Sequence, residues 1–206
     1  MIDELIMNFD QVLKTLVPGS VQARRKNPGA EGTVELSESE KKHAAGLMRI
    51  NHTGEVCAQA LYQGQALTAG LPEVRGSMQD AAQEEIDHLS WCEDRLAELD
   101  SRPSLFNPVW YGLSFGLGAV AGLAGDKWSL GFVAETERQV CVHLEDHLKK
   151  IPGQDNKSKA ILNQMLKDEG QHAENAKQAG AAKLPAPVRS TMGLMASVMK
   201  TTSYKI

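Results

Sequence analysis

The 206-residue sequence lacks the features that mark several common classes of protein. Its three cysteines, Cys57, Cys92 and Cys141, form no C-x-x-C pair, so neither a disulfide framework nor a zinc ribbon is expected, and a reducing compartment fits better. The net charge of −4 leaves no basic excess, which disfavours nucleic acid as a partner. The sequence also lacks a Rossmann glycine fingerprint and a flavin motif, so any reductant must come from outside the chain or through the substrate.

No secretory signal is predicted at the N-terminus, because Asp3 and Glu4 stand where a basic region would be and no long apolar run follows. Apolar residues at helical spacing instead predict a short amphipathic helix over residues 1–17. Three roles stay open for it: packing on the protein's own core, contact with a membrane surface, or binding of a partner helix. Its acidic polar face argues against simple attraction to anionic lipid. Residues 18–36, rich in glycine, proline and charge, are predicted to form a linker.

Helix start and stop signals divide residues 37–206 into five helices and one long connection. Ser37 and Glu40 form the pattern of a capping box, which starts the first helix, and Asp126 is a plausible N-cap of the third. The predicted helices span residues 37–69, 73–99, 126–150 and 156–178, and a last one follows Pro187. No strand-like alternation occurs, and the connection of residues 100–125 is too long for a tight turn. We therefore predict an all-α, ferritin-like four-helix bundle with one crossover.

The crossover contains an uncharged stretch, residues 103–125, that is rich in glycine and interrupted by Pro108. A membrane span here would place the two helix pairs on opposite sides of a bilayer and destroy the bundle. We expect a hairpin or short helix on the bundle that touches lipid or lines an entrance for a lipid substrate. The alternative is a buried crossover helix with small residues for close packing. Trp110, Tyr111 and Phe115 are the candidates for contact with substrate or membrane.

Acidic and histidine side chains interrupt the apolar stripes of the four predicted bundle helices. The second helix places Glu85 and His88 on its apolar side, and the fourth helix places Glu169 and His172 there. The first and third helices each contribute one glutamate, Glu55 and Glu137. Each helix is thus expected to direct one carboxylate into the core, and two of them add an imidazole.

Buried carboxylates must be paired or must coordinate a metal, and the stripes supply no arginine or lysine for four of them. Two divalent metals would balance four negative charges while both imidazoles stay neutral. Carboxylate oxygen and imidazole ligands suit iron or manganese. One glutamate from each of two helices and Glu-x-x-His from each of the other two is the arrangement of di-iron and di-manganese bundles.

A third Glu-x-x-His, Glu40 to His43, lies in the first turn of its helix and is interpreted as solvated structure. His143 and His147 are interpreted as surface residues or as neighbours of the site, with His143 the closer of the two. Glu84 and Asp168 each precede a metal-binding glutamate, and either orient an imidazole through its free N–H or are surface charges. The residues expected to contact the ligands rather than the metal are His52, Tyr62, Glu84, His143 and Asp168.

The stretches "RINHTGEVCAQALYQGQ", "EEIDHL", "VAETERQVCVHLEDHL" and "DEGQHAENA" resemble the demethoxyubiquinone hydroxylase family of ubiquinone biosynthesis. The resemblance covers about residues 37–180. It implies two bound irons, bridged by Glu85 and Glu169, with Glu55 and His88 on one and Glu137 and His172 on the other. It also implies hydroxylation of a polyprenylated demethoxyquinol ring with O2 at a membrane surface. This chain departs from many members at Ile50 and Thr53, and has Leu144 where many have tyrosine.

The resemblance further implies a peripheral protein on the cytoplasmic side of the bacterial inner membrane. It needs an external reductant, and a homo-oligomer or a lipid-presenting partner protein is possible. Two other classes stay open. One is a ferritin-like oxidase or peroxidase of the rubrerythrin or manganese-catalase type, although paired C-x-x-C of a rubredoxin module is absent. The other is a non-enzymatic iron-binding or scaffolding helical bundle.

Overall fold

The computed structural model describes the backbone of residues 2–206 and the side chains from residue 9 onward. Within this range the chain forms helices and no strand, as expected for an all-α protein. The elements are α1 (Ile2–Leu16), α2 (Glu38–Thr68), α3 (Pro72–Glu98), α4 (Asn107–Leu123), α5 (Asp126–Lys150), α6 (Asn156–Gln178) and α7 (Ala186–Ser203).

Two antiparallel pairs, α2 with α3 and α5 with α6, form the four-helix bundle. Ser37 and Glu40 make the predicted capping box at the start of α2, and Asp155 caps α6 through the backbone N–H of Ser158. The predicted N-cap of α5 was wrong by one residue. Gly125 is the cap, with a φ of 104° that favours glycine, because the carboxylate of Asp126 accepts hydrogen bonds from the backbone of the α2–α3 turn instead.

The crossover is one continuous helix, α4, and not a hairpin. It runs parallel to α2, since Asn107 at its start contacts Thr53 and Ala119 near its end accepts a hydrogen bond from Thr68. Glycines allow the two backbones to approach closely. A Cβ added at Gly118 would collide with the carbonyl oxygen of Leu61 on α2. On the side of α4 that faces α2, the alternative prediction, a crossover helix with small residues for close packing, is therefore correct.

The opposite face of α4 is an exposed apolar stripe. Its members recur every three or four residues and are Phe106, Val109, Leu113, Leu117, Val120 and Leu123. In the described part of the chain, no helix has both the length and the hydropathy needed to cross a membrane. The crossover thus combines a glycine face against α2 with an apolar face toward solvent.

The helix α1 lies on the bundle through Val12 and Leu16, which pack against a core cluster with Leu89 and Tyr111. Phe9 and Leu13 on the same helix are largely exposed. Residues 17–36 contain no helix, as expected for the linker, but they are held against the side of the bundle by hydrogen bonds to α3 and α6.

Two apolar clusters fill the bundle, one toward each end. Met48, Leu96 and Met165 belong to the first, and Tyr62, Met78 and Val133 to the second. The four-helix interior between them carries a layer of buried acidic and histidine side chains. The fold therefore places its polar layer in the middle of an apolar core.

Candidate metal centre

Six buried side chains converge in that middle layer, each from a position that interrupts an apolar stripe. They form two groups whose candidate ligand atoms lie within 4.8 Å of one another. One group consists of Glu55, Glu85, His88 and Glu169, and the other of Glu85, Glu137, Glu169 and His172. Glu85 and Glu169 belong to both groups, as two bridging carboxylates would.

The two histidines turn the same ring nitrogen toward the centre. Nδ1 of His88 lies 3.2 Å from Glu85 Oε2 and 3.1 Å from Glu169 Oε1. Nδ1 of His172 lies 3.2 Å from Glu169 Oε2 and 3.3 Å from Glu85 Oε1. Helical spacing explains the match, because a histidine three residues after a glutamate lies on the same helix face.

The outer ring nitrogens face carboxylates, which is one of the two roles that the sequence left open for Glu84 and Asp168. Nε2 of His88 donates to Asp168 Oδ2 at 3.0 Å, and Nε2 of His172 donates to Glu84 Oε2 at 2.7 Å. Each histidine is thus bonded to the acidic residue directly before the opposite helix's glutamate. With Nε2 protonated, Nδ1 keeps a lone pair directed at the centre, the tautomer that a metal-binding imidazole needs.

Burial dominates the electrostatics of the unshared carboxylates. It raises the pKa of Glu55 well above its ordinary value, with a further contribution from the charge of Glu85. Burial likewise raises the pKa of Glu137, reinforced by Glu169 and Glu85. For Glu85, burial acts in the same direction, but the imidazoles of His172 and His88 outweigh it when they are protonated and hold its pKa well below the ordinary range. The layer thus concentrates negative charge that the protein alone compensates only in part.

The carboxylates also leave oxygen atoms without partners. Glu137 Oε2 is buried and makes no hydrogen bond, and Glu85 Oε1 lies near His172 without hydrogen-bonding geometry. A buried carboxylate oxygen without a partner is costly. Two divalent cations would satisfy these atoms, and oxygen and imidazole donors fit iron or manganese. The donor set and its orphaned oxygens therefore fit a two-metal centre.

Tyr62 and His52 have different places relative to this centre. The Tyr62 hydroxyl donates to Glu137 Oε1, and its ring meets the ring of His172 edge-on. His52 instead donates to Glu93 and accepts from Asn107. It forms no hydrogen bond to the six side chains, unlike the contact that we expected, because its two ring nitrogens are bonded to Glu93 on α3 and Asn107 on α4.

An apolar groove of about 580 Å³ runs beside the centre, between α2, α4, α5 and α7. Glu55 lies on its floor, while Leu113, Leu117 and Met195 are among its apolar walls. The volume falls within the range typical of small-molecule sites. The groove therefore connects one carboxylate of the centre with the outer surface near α4.

Comparison with known proteins shows the family of this chain. A family model described as "Ubiquinone biosynthesis protein COQ7" matches residues 42–203. The chain belongs to the COQ7 family. A 3-demethoxyubiquinol 3-hydroxylase of Acinetobacter baylyi is 61% identical over 205 residues, covering 100% of this chain and 97% of that protein. A protein of the same name from Pseudomonas putida is 58% identical over 206 residues, covering 100% of this chain and 96% of its own length.

A solved structure shares the fold of this COQ7-family chain. It is described as a dodecameric thioferritin, the bacterioferritin-related protein from Bacteroides fragilis, with a TM-score of 0.57 and 20% identity. The match covers 67% of this chain and 84% of the other. At that identity the likeness speaks for the ferritin-like bundle alone, and it confirms the predicted fold class.

His143 and His147 form a pair beside the groove of the COQ7-family bundle. Nε2 of His143 and Nδ1 of His147 lie 2.8 and 3.0 Å from the same oxygen, Asn51 Oδ1, so both rings donate to it. Burial, followed by the neighbouring His147, lowers the pKa of His143, and burial lowers that of His147 to about 4. Of the two, only His143 is among the groove residues, as is Glu55. His143 therefore lines the same groove as Glu55, and its place nearer to the metal centre stays a prediction.

The three aromatic residues of the crossover do not share one face. Trp110 lines the groove. Tyr111 is buried, donates to Gln63, and stacks with Phe115 toward α1 and α2. The expectation that Tyr111 contacts a membrane is therefore wrong, because its side of α4 faces the bundle. The outward stripe consists of the aliphatic residues and Phe106 described above.

The sequence missed two residues near the centre, Arg25 and Asp87. Arg25 lies in the predicted linker and forms ion pairs with Asp87 and Asp168. Asp87 is buried, and the only signal for it was an acidic residue next to the stripe of α3. The third Glu-x-x-His is structural, as interpreted: Glu40 caps α2 and His43 bonds to Tyr204.

Proposed function

We propose that this COQ7-family chain is a 3-demethoxyubiquinol 3-hydroxylase that uses O2 and a di-iron centre. The observation that carries the proposal is the pair of buried ligand groups sharing Glu85 and Glu169, one of which reaches the apolar groove through Glu55. The relatives named for this activity match over nearly their whole length. This favours a hydroxylase over a rubrerythrin-type or manganese-catalase-type enzyme and over a non-enzymatic iron-binding bundle.

In the proposed centre Glu85 and Glu169, which belong to both ligand groups, would be shared by two metals. Glu55 and His88 complete one position, and Glu137 and His172 the other. The six residues supply four carboxylates and two imidazoles, which balances two divalent ions and favours iron, with manganese as the alternative. When bound, the iron pair supplies the oxidising power for O2-dependent ring hydroxylation.

The chain's own residues position the substrate and exclude water. The apolar groove accepts a hydrophobic ring and the first part of a prenyl chain, and its floor brings that ring to the Glu55 side of the centre. On the other side, Tyr62 and the apolar cluster around it close the Glu137 position from solvent. The reacting ring is therefore expected to approach from the Glu55 side.

The exposed stripe of α4 supports contact with a membrane surface, where a polyprenylated quinol resides. Leu113 and Leu117 belong both to this stripe and to the groove wall, so a lipid-dissolved substrate has a continuous apolar path. We propose peripheral attachment to the cytoplasmic side of a bacterial inner membrane. The reductant comes from outside the chain or from the quinol, and a homo-oligomer or a lipid-presenting protein is a possible partner. Nucleic acid is not an expected partner.

The proposal is tested by purifying the chain with Fe(II), counting iron per chain, and supplying a demethoxyquinol with O2. We expect two irons per chain and a ring-hydroxylated product. The exposed Glu174→Gln on α6 is the matched control for Glu169→Ala, because Glu174 contacts Lys177 at the surface. The control should keep metal and turnover, while Glu169→Ala should lose both. An iron-loaded chain that yields no hydroxylated quinol would rule out the proposed activity but not the proposed metal site.

A further inference from the structure

Residues 17–36, which we call the N-terminal segment, are attached along the side of α3. The backbone N–H of Gly19 donates to Glu93 at 2.9 Å, and that of Arg24 donates to Asp87 at 2.7 Å. Asn27 donates to Asp94 at 3.0 Å. The segment is therefore held against about two turns of α3, between Asp87 and Asp94, although its composition predicts a linker.

Arg25 reaches from this segment to two helices at once. Its Nε lies 2.6 Å from Asp87 on α3, and its Nη1 lies 2.7 Å from Asp168 on α6. The guanidinium also stacks over the ring of Trp91 at 4.9 Å from the centroid. A planar guanidinium with several fixed donors suits such a bridge, whereas a lysine ammonium would reach it as a single point charge.

The oxygen that Arg25 contacts is the one that orients His88. Asp168 Oδ2 lies 2.7 Å from Arg25 Nη1 and 3.0 Å from His88 Nε2. The His88 ring is fully buried and packs against Trp91, with the ring centroids 5.4 Å apart. Arg25 thus contacts both neighbours of this imidazole: Asp168, which is its hydrogen-bond partner, and Trp91, against which it packs.

We propose that Arg25 is a positioning residue: by fixing Asp168 and Trp91 it holds the His88 ring, and so secures the metal at the Glu55–His88 position. The inference rests on the proposed two-metal centre but not on its hydroxylase activity. It makes the N-terminal segment part of the support of a site that lies inside the bundle. Partners of this kind typically change metal affinity about 10- to 100-fold when they are removed.

The other metal position lacks this support. The carboxylate that orients His172 belongs to Glu84, whose side chain is 55% exposed, against 13% for Asp168. Among the side chains that the structure describes, no arginine or lysine forms an ion pair with Glu84. Loss of Arg25 should therefore affect one of the two metals selectively.

Arg25→Ala and Arg24→Ala form a matched pair of variants. Arg24 is the neighbouring residue of the same charge, and among the described side chains its guanidinium hydrogen-bonds to Gln83 alone, at 3.1 Å. Both proteins are loaded with Fe(II), and iron release to an excess of chelator is followed without substrate. In Arg25→Ala we expect one iron of the two to leave about tenfold faster, whereas Arg24→Ala should behave as the unsubstituted protein.

Two further measurements separate positioning from general stability. The Mössbauer spectrum of the diferrous Arg25→Ala protein should change for one iron site while the other is kept. Arg25→Lys keeps the charge but cannot contact Asp87 and Asp168 at once through a planar guanidinium. Its rate of iron release should therefore lie between the rates of the alanine variant and the unsubstituted protein. Melting temperatures of the metal-free proteins show how far the variants differ in folding.

Three results would overturn the inference. Equal release rates in the two alanine variants would leave Arg25 without a role at the metal. Equal acceleration of both irons in Arg25→Ala would mean that the residue stabilises the fold and not one position. An unsubstituted chain that retains no iron would remove the proposed centre together with the role of Arg25, whereas retained iron without hydroxylation would overturn only the activity.

Discussion

In the half of the centre formed by Glu55 and His88, the outer nitrogen of the histidine faces Asp168, which Arg25 holds in place. In the half formed by Glu137 and His172, the corresponding partner is the exposed Glu84. The two halves come from the same Glu-x-x-His motif and direct the same ring nitrogen inward. Their surroundings differ because a residue far from both motifs, Arg25, pairs with Asp168, whereas no described arginine or lysine pairs with Glu84.

A second difference concerns access. Glu55 lies on the floor of the groove, whereas Glu137 accepts a hydrogen bond from Tyr62 and faces an apolar cluster. The Glu55–His88 half is thus open to a substrate, and Arg25 holds the carboxylate that contacts its histidine. The Glu137–His172 half is closed to a substrate, and the carboxylate that contacts its histidine is exposed. A repeated motif therefore does not make the two proposed metal positions equivalent.

The largest effect is expected when a shared carboxylate is removed. Glu85→Ala takes a ligand from both groups, whereas Glu137 belongs to only one of them. We expect loss of both metals and turnover at the background of the metal-free chain. Glu137→Ala should lose only the metal of its own half. Metal analysis per chain distinguishes the two results, and equal loss in both variants would contradict the division into halves.

Next in size is the loss of a histidine's outer partner. Asp168→Ala should weaken metal binding by up to about 100-fold, since it also frees Arg25, while Glu84→Ala should cost about tenfold or less. The reason is that solvent can replace an exposed carboxylate more readily than a half-buried one. Competition with a chelator of known affinity measures both values. A larger effect at Glu84 would reverse the comparison.

Tyr62→Phe should have a smaller effect that is confined to the closed half. It removes the hydroxyl that donates to Glu137 and leaves a buried oxygen without that partner, a change worth about 1–3 kcal/mol. We expect faster metal release from the His172 position and a lower kcat, with KM for the quinol unchanged because Tyr62 is not among the residues of the groove that Glu55 shares. A raised KM with normal metal release would contradict this prediction, because it would mean that the quinol binds on the Tyr62 side of the centre.

The smallest effect on the metals is expected from Gly54, which precedes Glu55 and lines the groove. A Cβ at this position meets no atom within 4 Å, so Gly54→Ala should stabilise α2 by about 1 kcal/mol. Gly54→Leu extends further into the groove and should raise KM while iron content stays at the unsubstituted level. Thermal unfolding and steady-state kinetics test the two variants. An unchanged KM in the leucine variant would show that the ring enters elsewhere.

The fold could be read from the sequence where local signals are strong. Ser37 with Glu40, Pro72, and Gly180 after α6 mark helix ends that the structure reproduces closely. The six inward residues could be found because each interrupts an apolar stripe on a long helix. Periodicity alone was enough to bring them to one layer, and the proposed role as ligands stays a prediction.

What the sequence could not provide depends on contacts between distant segments. Arg25 lies in a stretch without periodicity, and its partner Asp168 is 143 residues away. The direction of His52 and the inward side of Tyr111 follow from how α4 packs against α2, which helical spacing within α4 does not determine. Gly118 could have suggested a close helix contact, but its neighbour Leu61 becomes known only from the structure.

The glycine contact between α4 and α2 has a consequence for which substrates are accepted. Since Gly118 seats the backbone of α4 directly against that of α2, the outer stripe and Glu55 keep a constant separation. The depth to which a headgroup enters is then set by the packing of α4 on α2, and the rest of the prenyl chain would continue along the apolar stripe that shares Leu113 and Leu117 with the groove. Quinols with short and long tails should therefore be oxidised at the same ring carbon, with tail length changing only how strongly they partition into the surrounding lipid.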